Sequence, residues 1–401
     1  MQRTILIFVA VLFVLEFYVY QAFKTLFVNR SIRMAYWIIT LGIYAFCLSQ
    51  LLLFTRAEPD RHRMNIIAVI FLAFMVPKLL VTVMLIIDDL IRLSSFAYQR
   101  ISGPVEYYPA RRKFLSAAGL GIMAVFTGLI LDGVIFGKFR HQVRLVKIKI
   151  KNLPQAFRGY RIVQISDVHS GSFEDPEKLR HAIDLINEQN ADLVLFTGDL
   201  VNNLATEFEP FVPLFSQIKA KDGKLSVLGN HDYGSYVEWK SPADKAQNLR
   251  NLGKLQAEAG FRLLKNEHIA IDRDGEKLYI LGVENWGEKP FPQYGDLTRA
   301  AAGIPPTAAK ILMSHDPTHF DHIVKKHPAD IALTLSGHTH GMQFGIDLKN
   351  WRWSPVKYRY KKWADLYESE GKYLYVNRGF GVLGYPGRVG IKPEITVFEL
   401  S

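Results

Sequence analysis

Five short segments of the chain carry the residue types that bind metal ions and transfer protons. Each combines histidine, aspartate or asparagine with small residues, and each follows a run typical of a β-strand. The segments are Asp167-Val168-His169, Gly198-Asp199, Gly229-Asn230-His231-Asp232, Ser314-His315-Asp316 and Gly337-His338-Thr339-His340-Gly341. Imidazole, carboxylate and amide oxygen together suit divalent transition metals such as Mn, Fe or Zn. Seven such side chains are more than one ion needs: Asp167, His169, Asp199, Asn230, His315, His338 and His340.

The spacing within two of these segments favours one shared pocket. Asp167 and His169 are two residues apart, as are His338 and His340. In extended backbone, residues two apart point to the same side, so each pair can reach one site. A single Asp-x-His or Gly-Asp occurs often by chance, but all five segments in order at strand ends do not. Sites of α/β proteins lie beyond the carboxyl ends of their strands, which is where these segments are expected.

This pattern resembles that of the calcineurin-like metallophosphoesterase superfamily: D-x-H, G-D, G-N-H-[DE], a lone His and G-H-x-H. The resemblance covers about residues 155–401 and implies a four-layer αββα sandwich. It implies that three side chains bind a first metal: Asp167, His169 and His340. It implies that three others bind a second metal: Asn230, His315 and His338. Asp199 resembles the carboxylate that bridges the two ions, and His231 resembles the catalytic histidine that faces the substrate phosphate.

The resemblance is strongest to a membrane-linked or exported bacterial branch of that superfamily, on the stretches 375–381 and 388–395. One departure is Met342, which stands where a second glycine is usual and is expected to narrow the pocket. Arg378 is a candidate for gripping a substrate phosphate, because a guanidinium matches phosphate oxygens. A salt bridge at the surface is the alternative role for Arg378. Asp232 is expected either to orient its neighbours or to cap a helix.

The elements that must position these residues alternate between strands and helices after about residue 141, which predicts an α/β domain over residues 141–401. A helix is predicted over residues 176–190, with Asp175 as its N-cap and Pro176 at its first position. A second helix is predicted over 243–259. Strands are predicted at 162–165, 193–196, 225–228, 278–283, 311–313 and 331–335.

Residues 1–140 form a second, apolar region. Four stretches are long enough to cross a bilayer as helices, which takes about 20 residues. They cover residues 5–23, 35–54, 66–87 and 114–136. Glu16 and the lack of a small-residue cleavage site argue that the first stretch is a retained helix and not a signal peptide. Lys78 lies inside the third stretch and is expected to snorkel within a packed bundle; a functional site within the membrane is the alternative.

Basic residues in the loops predict the orientation of this region. Those of the first and third loops are Lys24, Arg30, Arg33, Arg92, Arg100, Arg111, Arg112 and Lys113. The N-terminus and second loop have fewer: Arg3, Arg56, Arg61 and Arg63. Since basic loops stay in the cytoplasm, a multi-pass cell-membrane protein with an extracytoplasmic C-terminal domain is expected. Arg111-Arg112 also resembles a twin-arginine export signal, or else is a basic flank of a membrane helix.

Composition narrows the class of partner. The net charge of +11 favours anionic partners, and the single cysteine, Cys47, excludes a disulfide within the chain and a Cys-rich zinc site. Residues 351–363 interleave aromatic with basic side chains, which suits a membrane interface or lipid head group, single-stranded nucleic acid, or a solvated loop. A nucleic-acid partner is not expected.

The function expected from the resemblance is hydrolysis of a phosphodiester or pyrophosphate by two-metal hydroxide attack, on a substrate that could be lipid-linked. His231 and Asp199 are the expected catalytic residues. A phosphomonoesterase or phosphoprotein phosphatase is one alternative, and a non-catalytic membrane scaffold or transporter is another. The scaffold hypothesis is disfavoured because no ligand position is lost.

Overall fold

A computed structural model describes residues 2–54, 61–102, 109–349 and 351–401 of the chain. Arg56, which contributes to the prediction of orientation, lies outside the described residues. The chain divides into two compact units, Met1–Ile135 and Phe136–Ser401, and each is described by itself.

The described part of the first unit consists of four helices. They are α1 (Gln2–Leu26), α2 (Arg30–Phe54), α3 (Arg61–Ser102) and α4 (Pro109–Ile135). Within the described residues, three segments are long and apolar enough to cross a membrane: Arg30–Gln50, Ile66–Tyr98 and Ala110–Ile135. The predicted spans at 35–54, 66–87 and 114–136 overlap these segments. The predicted span at 5–23 falls within α1, so the described residues contain four helices, of which three include such a segment.

Lys78 does not snorkel, so that prediction is wrong. Its side chain is 2% exposed, and its ammonium donates to Glu16 Oε1 of α1 at 2.5 Å. Tyr36 and Tyr44 of α2 also donate their hydroxyl groups to the Glu16 carboxylate. A buried charge is tolerated when it is paired and hydrogen-bonded, and this network supplies both conditions. The lysine therefore ties α3 to α1.

The Arg111-Arg112 pair likewise joins two helices of this unit. Both guanidinium groups of α4 bind the carboxylate of Asp88 in α3, whose side chain is 1% exposed. Arg112 also lies 3.1 Å from Asp89. The pair therefore holds the start of α4 against α3.

Residues 136–349 and 351–401 of the second unit form two six-stranded sheets and a separate two-stranded sheet. The first sheet is formed by β1 (Gln142–Ile148), β2 (Arg161–Ile165), β3 (Leu193–Phe196), β4 (Lys224–Ser226), β5 (Phe261–Leu263) and β14 (Glu394–Leu400), in the order β1-β14-β2-β3-β4-β5. The second sheet is formed by β6 (Glu267–Arg273), β7 (Glu276–Gly282), β8 (Lys310–Met313), β9 (Leu333–Ser336), β12 (Asp365–Ser369) and β13 (Lys372–Val376), in the order β12-β13-β9-β8-β7-β6. Strands β10 (Ile346–Leu348) and β11 (Trp351–Trp353) form an antiparallel pair.

Both large sheets have parallel strands at their centre. Strands β2, β3, β4 and β5 are parallel to one another, as are β7, β8, β9 and β13. Strands β14, β12 and β6 add antiparallel pairings, so both sheets are mixed. The carboxyl ends of the central strands therefore meet at one edge of each sheet.

The core shows why the sheets stack. One buried cluster contains Ile162 and Leu195 of the first sheet together with Ile311 and Leu333 of the second, so these two faces pack against each other. The neighbouring residue Val163 faces the other way, because successive side chains alternate along a strand.

The outer faces are covered by helices. They are α5 (Arg180–Glu188), α6 (Val212–Phe215) and α7 (Pro242–Glu258) on the first sheet, and α8 (Leu297–Ala301) and α9 (Thr318–His322) on the second. Helix α5 packs Ile183 and Ile186 against Val163 and Val194. The predicted four-layer αββα sandwich is therefore confirmed. The predicted helix at 176–190 begins as a 3₁₀ turn, Pro176–Leu179, capped by the Asp175 side chain.

Candidate metal centre

The five predicted segments converge because each follows a parallel strand. The loops after β2, β3 and β4 place Asp167, Asp199 and Asn230, and those after β8 and β9 place His315 and His338. The structure brings all seven predicted ligands together. Their His and Asp members form two compact groups, in each of which the candidate ligand atoms lie within 4.8 Å of one another.

The first group consists of Asp167, His169 and His340. All three side chains are buried. His340 Nε2 lies 3.3 Å from Asp167 Oδ1, and the His169 and His340 ring centroids are 4.9 Å apart. Asp167 and His169 reach one group as their spacing predicted, although both have left-handed φ angles and not the extended backbone that was assumed. His338 and His340 are instead divided between the two groups, so the prediction is wrong for that pair.

The second group consists of Asp199, His315 and His338, with Asn230 beside it. His315 Nε2 lies 3.1 Å from Asp199 Oδ2, and His338 Nδ1 lies 2.8 Å from Asn230 Oδ1. His338 Nδ1 and His315 Nε2 are 3.3 Å apart, so both nitrogen atoms point into one small space.

Asp199 contacts both groups. Its Oδ2 lies 3.1 Å from His315 Nε2 and 3.5 Å from His169 Nε2. Its Oδ1 accepts a hydrogen bond from the backbone amide of His231 at 2.8 Å. The carboxylate is thus held between the two groups in a fixed orientation.

The donor atoms fit divalent cations. His315 Nδ1 lies 2.8 Å from the Thr197 carbonyl, so this nitrogen is the donor and the lone pair of Nε2 points into the centre. His169 Nε2 and His340 Nε2 are buried and have no hydrogen-bond partner, yet each lies beside a carboxylate. Buried polar atoms are normally satisfied, and a metal ion would satisfy these two. The mixed imidazole, carboxylate and amide set suits Mn, Fe or Zn.

The charges of the centre match this donor set. Burial lowers the pKa of His169 to about 3, which keeps the imidazole neutral as a ligand must be. Burial raises the pKa of Asp199, but His315 and His231 outweigh it and hold the pKa well below its ordinary value. Burial lowers the pKa of His315, but the Asp199 carboxylate outweighs it and raises the pKa to about 10. Without an ion a proton therefore occupies Nε2 beside Asp199, and this proton must leave before Nε2 can bind a metal. The pocket therefore attracts positive charge.

Glycine is required at two positions of the centre. A Cβ on Gly229 would collide with the Asp199 carboxylate, and one on Gly337 would collide with Ser166 and Asp167. These contacts explain the glycines in the sequence pattern, because only a residue without a side chain lets the backbone come so close.

His231 differs from the predicted ligands. Its side chain is partly exposed, and its Nδ1 lies 2.8 Å from the Asn202 carbonyl. The carbonyl can only accept, so Nδ1 donates and Nε2 is left available. Tyr236 packs beside the ring, with centroids 4.5 Å apart. His231 is therefore oriented and accessible to a substrate.

Asp232 orients its neighbours, one of the two roles expected for it. Its carboxylate accepts hydrogen bonds from the backbone amides of Asp199, Leu200 and Gly229 at 2.9, 2.8 and 2.8 Å. A fourth comes from Val201 at 3.2 Å. Asp232 therefore joins the loops after β3 and β4.

Three residues of the centre were missed by the sequence analysis. Asn202 Oδ1 lies 3.0 Å from His169 Nδ1, and the Tyr360 hydroxyl lies 2.8 Å from His338 Nε2. Arg388 is buried, donates to the carbonyls of its own loop and lies 3.4 Å from His340 Nδ1. Burial lowers the pKa of Arg388 to about 9. Two signals were available: the stretch 388–395, which had been linked to a family branch, and the aromatic and basic run 351–363, which contains Tyr360 and had been linked to lipid or nucleic acid.

The structure contradicts the substrate-binding role predicted for Arg378. The side chain is fully buried, and its guanidinium lies 2.7 Å from both Asp365 and Glu394 and 3.1 Å from Asp347. These carboxylates occupy the guanidinium N–H groups that a phosphate would need, and they neutralise the positive charge of Arg378. Arg378 is therefore part of a buried ion cluster and is neither a substrate ligand nor a surface salt bridge.

Comparison with known proteins gives two family matches. Residues 2–138 match the family described as "Probable Calcineurin-like phosphoesterase, transmembrane domain", and residues 160–342 match "Calcineurin-like phosphoesterase". The chain is 32% identical over 306 residues to the "Uncharacterized metallophosphoesterase YkuE" of Bacillus subtilis, a match that covers 73% of this chain and 98% of that protein.

Two other relatives extend this finding. The chain is 27% identical over 300 residues to "Phosphodiesterase YaeI" of Escherichia coli, which covers 73% of this chain and 99% of that protein. It is 28% identical over 264 residues to the "Transmembrane protein with metallophosphoesterase domain" of Danio rerio. That match covers 64% of this chain and 56% of the zebrafish protein, so the chain spans little more than half of that relative.

Proposed function

The chain belongs to the calcineurin-like metallophosphoesterases, and on that premise we propose that it is a membrane-anchored hydrolase of phosphodiester or pyrophosphate bonds that uses two divalent metal ions. The observation that carries the proposal is the position of Asp199 between two groups of ligands. One shared carboxylate and two groups of nitrogen donors suit a pair of ions, whereas a single ion would leave several donors unused. The proposed division into an anchor, residues 1–140, and a hydrolase domain, residues 141–401, follows the two family matches.

The proposed ligands follow the two groups. Asp167, His169 and His340 hold the first ion, and Asn230, His315 and His338 hold the second, with Asp199 shared. When bound, such ions supply Lewis acidity, which lowers the pKa of water and offsets charge on a phosphoryl group. Asp232 and the Thr197 carbonyl keep the shared carboxylate and the His315 ring in place.

His231 is the proposed general acid. Its Nδ1 is fixed as a donor to the Asn202 carbonyl, so a proton on Nε2 can be given to the leaving oxygen of the substrate. The ring is partly exposed while six of the seven proposed ligands, all but His338, are buried, so we place it on the side from which a substrate enters. Hydrolysis of a diester needs such a proton because its alkoxide leaving group is a strong base.

The membrane domain supports a substrate near the bilayer, and we include lipid-linked phosphoesters in the proposal. It also includes a multi-pass arrangement in the cell membrane, with the second unit outside the cytoplasm. The basic residues of the first and third loops support this orientation.

A metal-dependent hydrolysis screen tests the proposed reaction. The purified full chain, stripped by a chelator, is supplied with Mn, Fe or Zn and assayed on bis-p-nitrophenyl phosphate and on p-nitrophenyl phosphate. We expect metal-restored activity with preference for the diester, and none from Asp199→Ala. Faster hydrolysis of the monoester p-nitrophenyl phosphate would indicate a phosphomonoesterase or phosphoprotein phosphatase instead. Activity that survives chelation, or no hydrolysis of either compound with any metal, would contradict the proposal.

A further inference from the structure

The antiparallel pair β10–β11 has two chemically different faces. Its register pairs Ile346 with Trp353 and Leu348 with Trp351. These four residues share one face, called here the hairpin face, because every second residue of a strand points the same way. The third pair, Asp347 and Arg352, points to the opposite side.

The charged side of the hairpin is firmly held. Asp347 binds the guanidinium groups of Arg144 and Arg378, and Arg352 binds Asp365. Because these contacts fix the register, the hairpin cannot rotate to bury its apolar side. Ser354, directly after β11, donates a hydrogen bond to the Gly341 carbonyl at 2.7 Å. The hairpin is thus attached to the loop that carries His338 and His340.

The hairpin face remains in solvent despite its apolar composition. Leu348 is 62% exposed, Trp351 57% and Ile346 37%. On the segments that precede and follow the hairpin along the chain, Met342 is 57% exposed and Tyr358 is 78% exposed. Contiguous apolar side chains of this size are rarely left in water unless they meet a partner or a membrane.

We propose that the hairpin face contacts the surface of a bilayer that contains anionic lipid. Tryptophan and tyrosine favour the interface between lipid and water. The exposed Lys349, Lys357 and Lys361 add positive charge that anionic head groups attract. The chain also carries membrane spans, so a bilayer is always within reach of this unit and the encounter costs little entropy.

Two other occupants fit the surface less well. A second copy of the chain would bring the same lysines together, which like-charge repulsion disfavours. Single-stranded nucleic acid uses aromatic rings for stacking, but Ile346 and Leu348 are aliphatic and offer no ring to a base. A bilayer accommodates aliphatic, aromatic and cationic groups at once.

The surface is connected to the proposed metal centre. The Tyr360 hydroxyl lies 2.8 Å from His338 Nε2, and Thr339 donates to the Trp363 carbonyl at 2.7 Å. Both contacts come from residues 351–363, the aromatic and basic run that follows the turn of the hairpin. The bilayer contact would therefore hold the ligand loop close to lipid head groups, a consequence that rests on the proposed function.

The second unit can be tested alone because it has its own core. The three buried clusters of the sandwich are built from residues of Phe136–Ser401 only. The fragment Phe136–Ser401 is sedimented with vesicles of phosphatidylcholine, with and without phosphatidylglycerol. The variant carries Leu348→Ser and Trp351→Ser together. The control is Leu145→Ser, which changes an equally exposed apolar residue on β1.

We expect the fragment and the Leu145→Ser control to bind phosphatidylglycerol vesicles, and the double variant to bind at least about tenfold more weakly. Thermal unfolding of the double variant should match that of the parent, since both residues are exposed. Equal vesicle binding by parent and double variant would overturn the inference. So would binding to a single-stranded oligonucleotide in preference to vesicles, or a dimer in sedimentation velocity that the double variant abolishes. Vesicle binding does not require hydrolysis. If the nitrophenyl phosphate assays show no activity, the proposed function fails, but the vesicle assay still tests the bilayer contact.

Discussion

The carboxylate of Asp232 accepts a hydrogen bond from the backbone amide of Asp199 at 2.9 Å. The two residues are on loops that follow different strands, and the same carboxylate also holds Gly229 and Leu200. Through this contact Asp232 fixes where the Asp199 carboxylate can lie, although the partners of its own carboxylate are backbone amides. The relationship makes Asp232 a positioning residue.

Replacing Asp232 with Asn should weaken metal binding without abolishing it. The amide keeps one acceptor oxygen but turns an NH₂ group toward backbone amides that need an acceptor. Loss of such a supporting contact typically costs about 10–100-fold in metal affinity. Calorimetric Mn titration of the stripped protein measures this. Asp184→Asn, at an exposed position of α5, is the matched control and should bind as the parent does. Unchanged affinity in Asp232→Asn would remove the positioning role.

Replacing His231 with Ala should leave both ions bound and lower turnover. General acid catalysis contributes about 10²–10⁴-fold, so kcat should fall within that range. Metal content by mass spectrometry is measured together with kcat on an alkyl phosphodiester, whose alkoxide leaving group needs the proton that a nitrophenolate does not. Asp199→Ala provides the contrast, because it should lose metal as well as activity. If His231→Ala hydrolyses the diester at the parental rate, His231 is not the proton donor.

Replacing Lys78 with Met should destabilise the helical unit, because the Glu16 carboxylate would be left buried and unpaired. Breaking a buried pair costs about 3–5 kcal/mol in soluble proteins. Adding Glu16→Gln should recover most of the loss, since one tyrosine hydroxyl can still donate to the amide oxygen and the other can accept from the amide NH₂. Thermal unfolding in detergent compares the three forms. If Lys78→Met alone is as stable as the parent, the ion pair of Lys78 and Glu16 does not hold α3 against α1.

His319 should make the stability of the hydrolase unit depend on pH. The side chain is 1% exposed, and burial lowers its pKa to about 4. The unfolded chain therefore binds the proton more tightly, so the stabilisation is complete above about pH 6.5 and is lost as the pH falls toward 4. The loss amounts to about 3 kcal/mol.

Chemical denaturation of the chelated protein at a series of pH values measures this slope. His319→Gln should make the slope shallower, although His169 still contributes to it, and His322→Gln, on the exposed side of the same helix, should leave it unchanged. Equal slopes in the parent and His319→Gln would assign the pH dependence to other groups.

A reporter fused after Ser401 should be active only on the exterior face of the membrane. The reason is the larger number of basic residues in the first and third loops. An alkaline phosphatase fusion, active only when exported, and a fluorescent protein fusion, bright only in the cytoplasm, form a complementary pair. Activity of the cytoplasmic reporter alone would reverse the topology and show that one predicted helix does not cross.

The amino-acid sequence determined the residues of the proposed centre and the class of fold. Asp167, His169 and Asp199 could be named because each follows an apolar strand, and α/β folds bring such strand ends to one edge. Local patterns also predicted the alternation of strands and helices and the Asp175 cap, since both depend on neighbours in the chain, whereas the αββα sandwich was implied by the family resemblance.

Only the tertiary structure decided the contacts between residues that are distant along the chain. The partners of Lys78, Arg378 and Asp232 are set by packing, and no periodic pattern encodes them. Arg378 was misassigned for this reason: a guanidinium suits a phosphate and a carboxylate equally well, and the carboxylates of Glu394 and Asp365 reach it only after the strands have assembled. Side-chain chemistry limits what a residue can bind, but the folded neighbourhood determines which partner is present.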